Sequence, residues 1–282
     1  MEQETRNQEE ARGGQETRGE KRRMPERDAE YGKLLDFVAE FGAVLMSGGA
    51  EIYRVEESMR RLLHAYRLKT AEVFAIPSCV IVSATAPDGC AITRMRRVGA
   101  HGTDIELLER CNQLCRQLCK QPVPLKEARI LLSALPDALP CYPLRRILLG
   151  YGIAPAFFAP LFGGGLSDAL GAAAGGLAVG MCVLYGGRFT GSNSFFRTAV
   201  CAAVGSLSAV LLARMGVGQS VDVVTISVLM MLVPGLALTN AMREMMGGDT
   251  ISALTRIADA ILTAGAIAIG AAVGLFAGQA MV

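Results

Sequence analysis

The sequence predicts an α+β domain, with helices flanking a small antiparallel sheet, followed by an all-α membrane domain of about five transmembrane helices. Charge is the first reason: the chain has 28 Lys and Arg and 26 Asp and Glu, but residues 147–282 hold only five of each sign. Glycine is the second reason, because the same residues hold 22 of the 32 glycines. The third is the hydrophobic period, which changes from helical to strand-like and back before long apolar runs begin.

Composition also argues against some classes of protein. The formal net charge of +2 leaves no basic excess to neutralise phosphates, so we expect no nucleic-acid partner. Residues 1–30 contain no apolar run, so we predict no signal peptide. The eight cysteines are then expected to remain free thiols in the reducing cytosol.

Four segments follow from these changes in composition. Residues 1–28 are rich in Glu, Arg, Gln and Gly and predict a disordered tail, because they offer almost no apolar surface to bury. Residues 29–135 predict the α+β domain. Residues 136–146, with three prolines, predict a linker, and residues 147–282 predict the membrane domain.

The α+β domain shows two hydrophobic periods. Apolar residues at helical spacing predict a helix up to Met46, a break at Ser47-Gly48-Gly49 and a second helix from Ala50. Three short runs rich in β-branched residues predict an antiparallel sheet, and helical spacing then returns. The predicted strands are 73–76, 80–85 and 91–95, and the later helices are 104–120 and 125–135.

Three cysteines, Cys111, Cys115 and Cys119, lie four residues apart on one of these helices. A metal site is one interpretation, but no Cys-x-x-Cys pair accompanies them and His101 is distant in sequence. Buried thiols in a helix interface are the interpretation that we favour. The sequence therefore predicts no metal site and no cofactor.

Five apolar segments of roughly 20 residues predict transmembrane helices, since almost no polar face remains on them to meet water. The predicted spans are 147–163, 168–187, 196–214, 221–241 and 257–279. Arginines at 145, 146, 188, 197, 243 and 256 flank alternate loops. By the positive-inside rule, the N-terminal domain lies in the cytoplasm and, with five spans, the C-terminus lies outside.

The fourth span is interrupted near its end by Pro234-Gly235, and Thr239, Asn240 and Arg243 follow. Proline removes a backbone donor, so backbone polar groups become available where polar side chains gather. A site for a small polar solute is one interpretation, with all five residues as its contacts. A kinked span followed by a polar loop is the other, in which Arg243 only anchors a cytoplasmic helix end.

Four further charged residues lie in or near the apolar segments: Asp168, Asp249, Arg256 and Asp259. Ionisable groups in a membrane are costly unless they are used or paired. The aspartates are therefore candidates for proton coupling or for an ion pair with Arg256. Glycines recur every four residues at 171 and 175, at 176 and 180, and at 270, 274 and 278, which favours close packing within the chain or in a higher oligomer.

Two stretches resemble a known family. Residues 47–56, Ser-Gly-Gly-Ala-Glu-Ile-Tyr-Arg-Val-Glu, are similar to the first motif of the threonine/serine exporter family. The membrane motif of the same family is similar to residues 232–243, which read Leu-Val-Pro-Gly-Leu-Ala-Leu-Thr-Asn-Ala-Met-Arg and are followed by Gly248-Asp249. The similarity covers about residues 31–275.

The resemblance implies a cytoplasmic α+β domain and a membrane domain that exports small polar metabolites across the cytoplasmic (inner) membrane of a bacterium. It implies the larger subunit of a split exporter, which works with a separate small membrane protein and moves threonine and serine or C4 dicarboxylates such as succinate. Residues of the first motif become candidates on this ground: Ser47, Gly48, Glu51, Tyr53, Arg54 and Glu56. Their pattern alone favours a structural turn, with Glu51 and Arg54 as contacts to the membrane half.

Two other functions remain open. A regulatory or scaffold membrane subunit would gate a partner transporter without lining its pathway. A membrane-anchored hydrolase is the weaker alternative, because Ser47, Ser78, Cys79 and His101 are not framed by a Gly-x-Ser-x-Gly elbow or a metal motif. The sequence therefore favours a transporter over an enzyme.

Overall fold

The structure is a computed structural model that describes residues 26–68, 70–85, 91–99, 102–136, 142–190 and 193–281, without the side chains of 26–29 and 187–190. The chain divides into two compact units, Met1–Leu139 and Pro140–Val282. Residues 1–25 of the predicted tail lie outside the described residues, and the first helix begins at Glu26.

The first unit contains four helices and one three-stranded sheet among its described residues. They are α1 Glu26–Ser47, α2 Ile52–Ala65, β1 Ala71–Ile76, β2 Cys79–Thr85, β3 Ala91–Arg97, α3 Ile105–Lys120 and α4 Leu125–Ala134. The strands pair antiparallel in the order β1-β2-β3. The predicted small antiparallel sheet flanked by helices is therefore confirmed.

Alternation of side chains explains how the sheet packs. In β2, Val80, Val82 and Ala84 are buried, while the residues between them are more exposed. The buried face packs against α1 and α2, and α2 contributes an apolar stripe at helical spacing. That stripe is Ile52, Val55, Met59, Leu62 and Leu63, all buried.

The turn after α1 depends on its glycines. Gly49 N–H donates to Met46 O at 3.0 Å and Ala50 N–H donates to Leu45 O at 3.1 Å, the two bonds of a Schellman C-cap. Gly49 has a φ of +87°, which favours glycine. A Cβ at Gly49 would lie 2.5 Å from Gly102 O. This turn therefore requires glycine for both conformation and space.

Two of the three regularly spaced cysteines on α3, Cys111 and Cys115, are buried and the third, Cys119, is half-buried. Burial raises the pKa of the Cys111 thiol and of the Cys115 thiol to about 12. Among the described residues, no group of three His, Cys, Asp or Glu side chains is placed to hold a metal ion. The interpretation as buried interface thiols fits this arrangement.

We expect Cys111 and Cys115 to resist alkylation at neutral pH in the folded protein. A thiol with a pKa of about 12 carries almost no reactive thiolate at pH 7, and burial also blocks the reagent. Maleimide labelling followed by mass spectrometry of peptides measures this, with the urea-unfolded protein as the fully labelled control. Rapid labelling of either cysteine in the folded protein would contradict the packing of α3.

The second unit is all helical in the residues that the structure describes. Its helices are α5 Leu144–Leu161, α6 Leu166–Thr190, α7 Ser194–Arg214, α8 Val221–Leu229, α9 Gly235–Met246 and α10 Thr250–Ala280, with a 3₁₀ turn at Met230–Leu232 after α8. Within the described part of the chain, three stretches are long and apolar enough to cross a membrane, Leu166–Gly186, Ser194–Arg214 and Thr250–Ala280. A bent pair, Val221–Leu232 with Gly235–Met246, makes a fourth if it is one span.

The prediction of about five spans is therefore not confirmed. The predicted span 147–163 falls in α5, which is not among the helices of the described residues that are long and apolar enough to cross a membrane. Arg145 and Arg146 occupy its first turn, and its remaining 15 residues reach about 22 Å, less than the roughly 30 Å of a bilayer core. The outside position of the C-terminus, which depended on five spans, stays a prediction.

The regularly spaced glycines pack within this unit. A Cβ at Gly274 on α10 would lie 2.3 Å from Ala203 O on α7, and one at Gly176 on α6 would lie 2.1 Å from Tyr151 O on α5. Such approach distances leave no room for a side chain. Close helix packing inside one chain thus accounts for these glycines, and a higher oligomer stays a prediction.

Candidate functional site

The candidate site lies where the helix from Val221 is interrupted. The 3₁₀ turn Met230–Leu232 follows α8, and Val233 and Pro234 then take non-helical backbone conformations. Gly235 N–H donates to Val233 O at 2.8 Å instead of continuing the α-helical pattern. The two helical pieces differ in direction by 56°. The break predicted from Pro234-Gly235 is therefore present, and it is a change of direction rather than a mild kink.

The three predicted solute contacts that have polar side chains lie on α9, after the break. Thr239 and Arg243 are four residues apart, share one face of the helix and are exposed, while Asn240 is half-buried beside them. The Thr239 hydroxyl donates to Gly235 O at 2.9 Å, so its oxygen remains available as an acceptor. The helix thus presents a cation, a hydroxyl oxygen and an amide within two turns.

The charge that is most deeply buried here belongs to Glu244, which sequence analysis did not single out. Its side chain has no exposed surface. Arg256 on α10 donates its Nε–H to both carboxylate oxygens, each at 3.0 Å, and its own side chain is 12% exposed. The ion pair therefore joins α9 to α10.

A tight turn brings these two helices together. Gly248 N–H donates to Met245 O at 3.2 Å and Asp249 N–H donates to Glu244 O at 3.0 Å, again the Schellman pattern. Gly248 has a φ of +92°. This reversal places Glu244, in the last turn of α9, opposite Arg256, in the second turn of α10. The signal in the sequence was the Glu-x₁₁-Arg spacing across a Gly-Gly turn.

Asp168 has a different role from the ion pair that was suggested for it. It is buried in the first turn of α6, where Oδ2 accepts from Gly165 N–H at 3.0 Å. Oδ1 accepts from Gln219 N–H at 2.7 Å and from Ser220 N–H at 2.9 Å. Asp168 therefore connects the α5–α6 loop to the α7–α8 loop by three backbone hydrogen bonds.

The other two aspartates are placed nearer the candidate site. Asp249 is half-buried at the N-cap of α10 and makes no side-chain cap hydrogen bond. Asp259 is exposed one turn beyond Arg256. The structure shows an ion pair between Arg256 and Glu244, a partner that was not among the candidates Asp168, Asp249 and Asp259. Proton coupling through any of the three stays a prediction.

The residues of the first motif are spread over a turn and a helix in the first unit. Ser47 donates its hydroxyl to Val44 O at 2.8 Å, and Gly48 O accepts from Asp104 N–H at 3.0 Å. Arg54 lies 3.3 Å from Glu51, which is buried. Tyr53 is exposed and Glu56 accepts from Ala75 N–H in β1 at 3.0 Å.

These contacts link α1, α2, β1 and the segment before α3, so residues of the first motif connect several elements of the first unit. The hydroxyl of Ser47 is engaged inside its own helix. Ser78 lies in the turn between β1 and β2, and Cys79 begins β2. His101, the base considered for a hydrolase, lies outside the described residues. No contact in the described structure favours nucleophilic chemistry at these side chains.

Comparison with known proteins gives consistent matches. Residues 36–277 match the model of the family described as "Putative threonine/serine exporter". The chain is 26% identical over 245 residues to a "Probable threonine/serine exporter" of Mycobacterium tuberculosis, which covers 86% of this chain and 46% of that protein. The chain thus spans about half the length of this relative. No solved structure matches the chain.

Proposed function

This chain belongs to the threonine/serine exporter family, and we propose that it is a subunit of a secondary exporter that moves small polar metabolites bearing a carboxylate out of the cytoplasm. Family membership supports a transport role at a membrane. Threonine and serine, or C4 dicarboxylates such as succinate, are the solutes of the proposal. The arrangement on α9 is the observation that carries it.

Two properties of α9 support a solute site. The break at Val233 and Pro234 ends the helical hydrogen-bonding pattern within a bent pair that is apolar enough to enter a membrane. Arg243 then follows on an exposed face with Thr239. A guanidinium offers a planar set of donors that matches a carboxylate, and the hydroxyl oxygen of Thr239 can accept from an amine or hydroxyl of the solute.

The proposal includes a separate small membrane subunit. The matched relative is about twice as long as this chain, so its transport unit holds additional sequence. The apolar side chains exposed on α9 and α10 would contact lipid or that subunit; they include Leu236, Met242, Leu254, Leu262 and Phe276. The inner membrane of a bacterium, with the first unit in the cytoplasm, is the proposed location.

We expect efflux to require both subunits. Cells would be preloaded with serine, threonine and succinate, and efflux would be measured with this chain alone, the small subunit alone, and the two together. Selective efflux of one solute class from the combined arm supports the proposal. Absence of efflux in every arm, with both proteins present in the membrane, would contradict it.

The same assay separates the exporter from a regulatory or scaffold subunit. If the small subunit alone binds and transports the solute, and this chain changes only the rate, this chain gates a partner and does not line the pathway. Binding of the solute by the purified small subunit, measured by calorimetry, would identify that case.

A further inference from the structure

The inference concerns the ion pair between Glu244 and Arg256, and it rests on the proposed function. Of the twelve residues of α9, Ala241 and Glu244 are the two that are buried. Lipid gives little hydrophobic drive for one helix to pack on another. The buried residues of α9 are therefore one small side chain and one carboxylate that pairs with α10.

Stability alone does not explain a pair of this kind. Removing two charges from water costs several kcal/mol per ion, and apolar residues of similar volume often serve as well or better. A carboxylate with no exposed surface, inside a unit that carries membrane-spanning helices, points to a role in transport.

The segment that the ion pair holds is bounded by two interruptions of the helical backbone. The break at Val233 and Pro234 precedes α9, and Gly247-Gly248 follows it. Small changes of backbone torsion at these two points would swing α9 as a rigid piece. Because α9 carries Thr239 and Arg243, release of Glu244 from Arg256 would move the proposed solute contacts.

A ligand can drive such a change only if it binds the two states with different affinity. In the state seen here a carboxylate, that of Glu244, occupies Arg256 at 3.0 Å from Nε. A solute that carries a carboxylate has the same chemistry. We propose that the solute carboxylate displaces Glu244 from Arg256 during transport, and that the return of Glu244 expels the solute.

Glu244 is then an internal competitor and a positioning residue, and Arg256 is a carboxylate-binding residue. While Glu244 is paired with Arg256, the solute cannot bind Arg256. The apparent affinity for solute is therefore the intrinsic affinity multiplied by the fraction of molecules in which Arg256 is accessible. Weakening the competitor should therefore tighten the apparent binding of solute. It should also slow release, since the group that expels the solute is weaker.

The test measures solute transport into everted membrane vesicles from cells that express both subunits, with radiolabelled serine or succinate, whichever the wild type exports. In Glu244→Gln we expect the apparent KM to fall on the order of fivefold to tenfold and the maximal rate to fall by a similar factor. Asp222→Asn, an exposed carboxylate in the first turn of α8, is the matched control and should leave both values unchanged.

A charge exchange separates this role from a purely structural ion pair. In the double variant Glu244→Arg with Arg256→Glu the pair can re-form, so the protein should accumulate in the membrane. Transport should nevertheless be lost, because α10 then carries a carboxylate that repels the solute. Transport restored to near the wild-type rate would overturn the inference.

Arg256→Lys provides a separate test if Glu244→Gln or the double variant fails to accumulate in the membrane. It keeps a buried cation opposite Glu244 but loses the planar set of donors. A raised KM supports the inference, and an unchanged KM overturns it. If the wild type itself transports no carboxylate solute, the proposed function fails; if it transports normally while KM is unchanged in Glu244→Gln, only this inference fails.

Discussion

Replacing Arg243 with alanine should reduce efflux by at least about tenfold, to near background, while the protein still accumulates in the membrane. Arg243 is exposed on α9, so its loss leaves no cavity. A hydrogen bond between charged groups contributes about 1.5–3 kcal/mol, and 1.4 kcal/mol corresponds to about tenfold in an equilibrium constant. Efflux from preloaded cells, normalised to the amount of membrane protein, measures the effect.

Two further variants identify why efflux is lost in Arg243→Ala. Arg243→Lys keeps the charge but loses the planar donors, so we expect intermediate efflux. Arg214→Ala removes an exposed arginine from the end of α7 and should leave efflux unchanged. If Arg243→Ala and Arg214→Ala behave alike, Arg243 anchors a helix end and is not a solute contact.

Sequence periodicity was sufficient for most of the first unit. The apolar stripe of α2 and the β-branched runs of the sheet report directly on which faces are buried, and the structure places those faces in one core. Pro234-Gly235 likewise located the break, because proline cannot continue the hydrogen-bonding pattern. The stripe, the strands and the break are all determined by residues that are close in the sequence, so the sequence predicts them.

The ion pair between Glu244 and Arg256 could not be predicted from sequence periodicity. Glu244 follows Arg243 in the sequence, and a helix end with adjacent opposite charges is typical of a solvated surface. Its burial depends on the Gly247-Gly248 turn, which folds α10 back against one face of α9. Because of this turn, Glu244 is buried and Arg243 is exposed, although the two residues are adjacent in the sequence. Composition alone does not predict which of the two is buried.

The predicted number of spans is not confirmed, for a related reason. Predicted segment 147–163 is apolar, but two arginines occupy the first turn of α5 and shorten its apolar part. Pro155 and Gly152 of α5 are buried, and a Cβ at Gly176 of α6 would meet Pro155 at 2.6 Å. The apolar residues of α5 are therefore explained by burial against a neighbouring helix as well as by contact with lipid.

The second prediction concerns Asp168. Replacing it with alanine should lower the stability of the second unit by about 3–5 kcal/mol, because two loops lose their shared acceptor and three backbone N–H groups lose a partner. That loss is a large part of the stability of a typical domain. We expect a strongly reduced amount of protein in the membrane and a lower thermal unfolding temperature in detergent.

Asp168→Asn distinguishes this structural role from proton coupling. The amide oxygen can still accept from Gln219 and Ser220 at the Oδ1 position, but its NH₂ group would face Gly165 N–H, so accumulation should be intermediate. Efflux per molecule should stay close to that of the wild type, because the pathway on α9 is unchanged. Normal accumulation of Asp168→Asn with abolished efflux would instead make Asp168 a coupling residue.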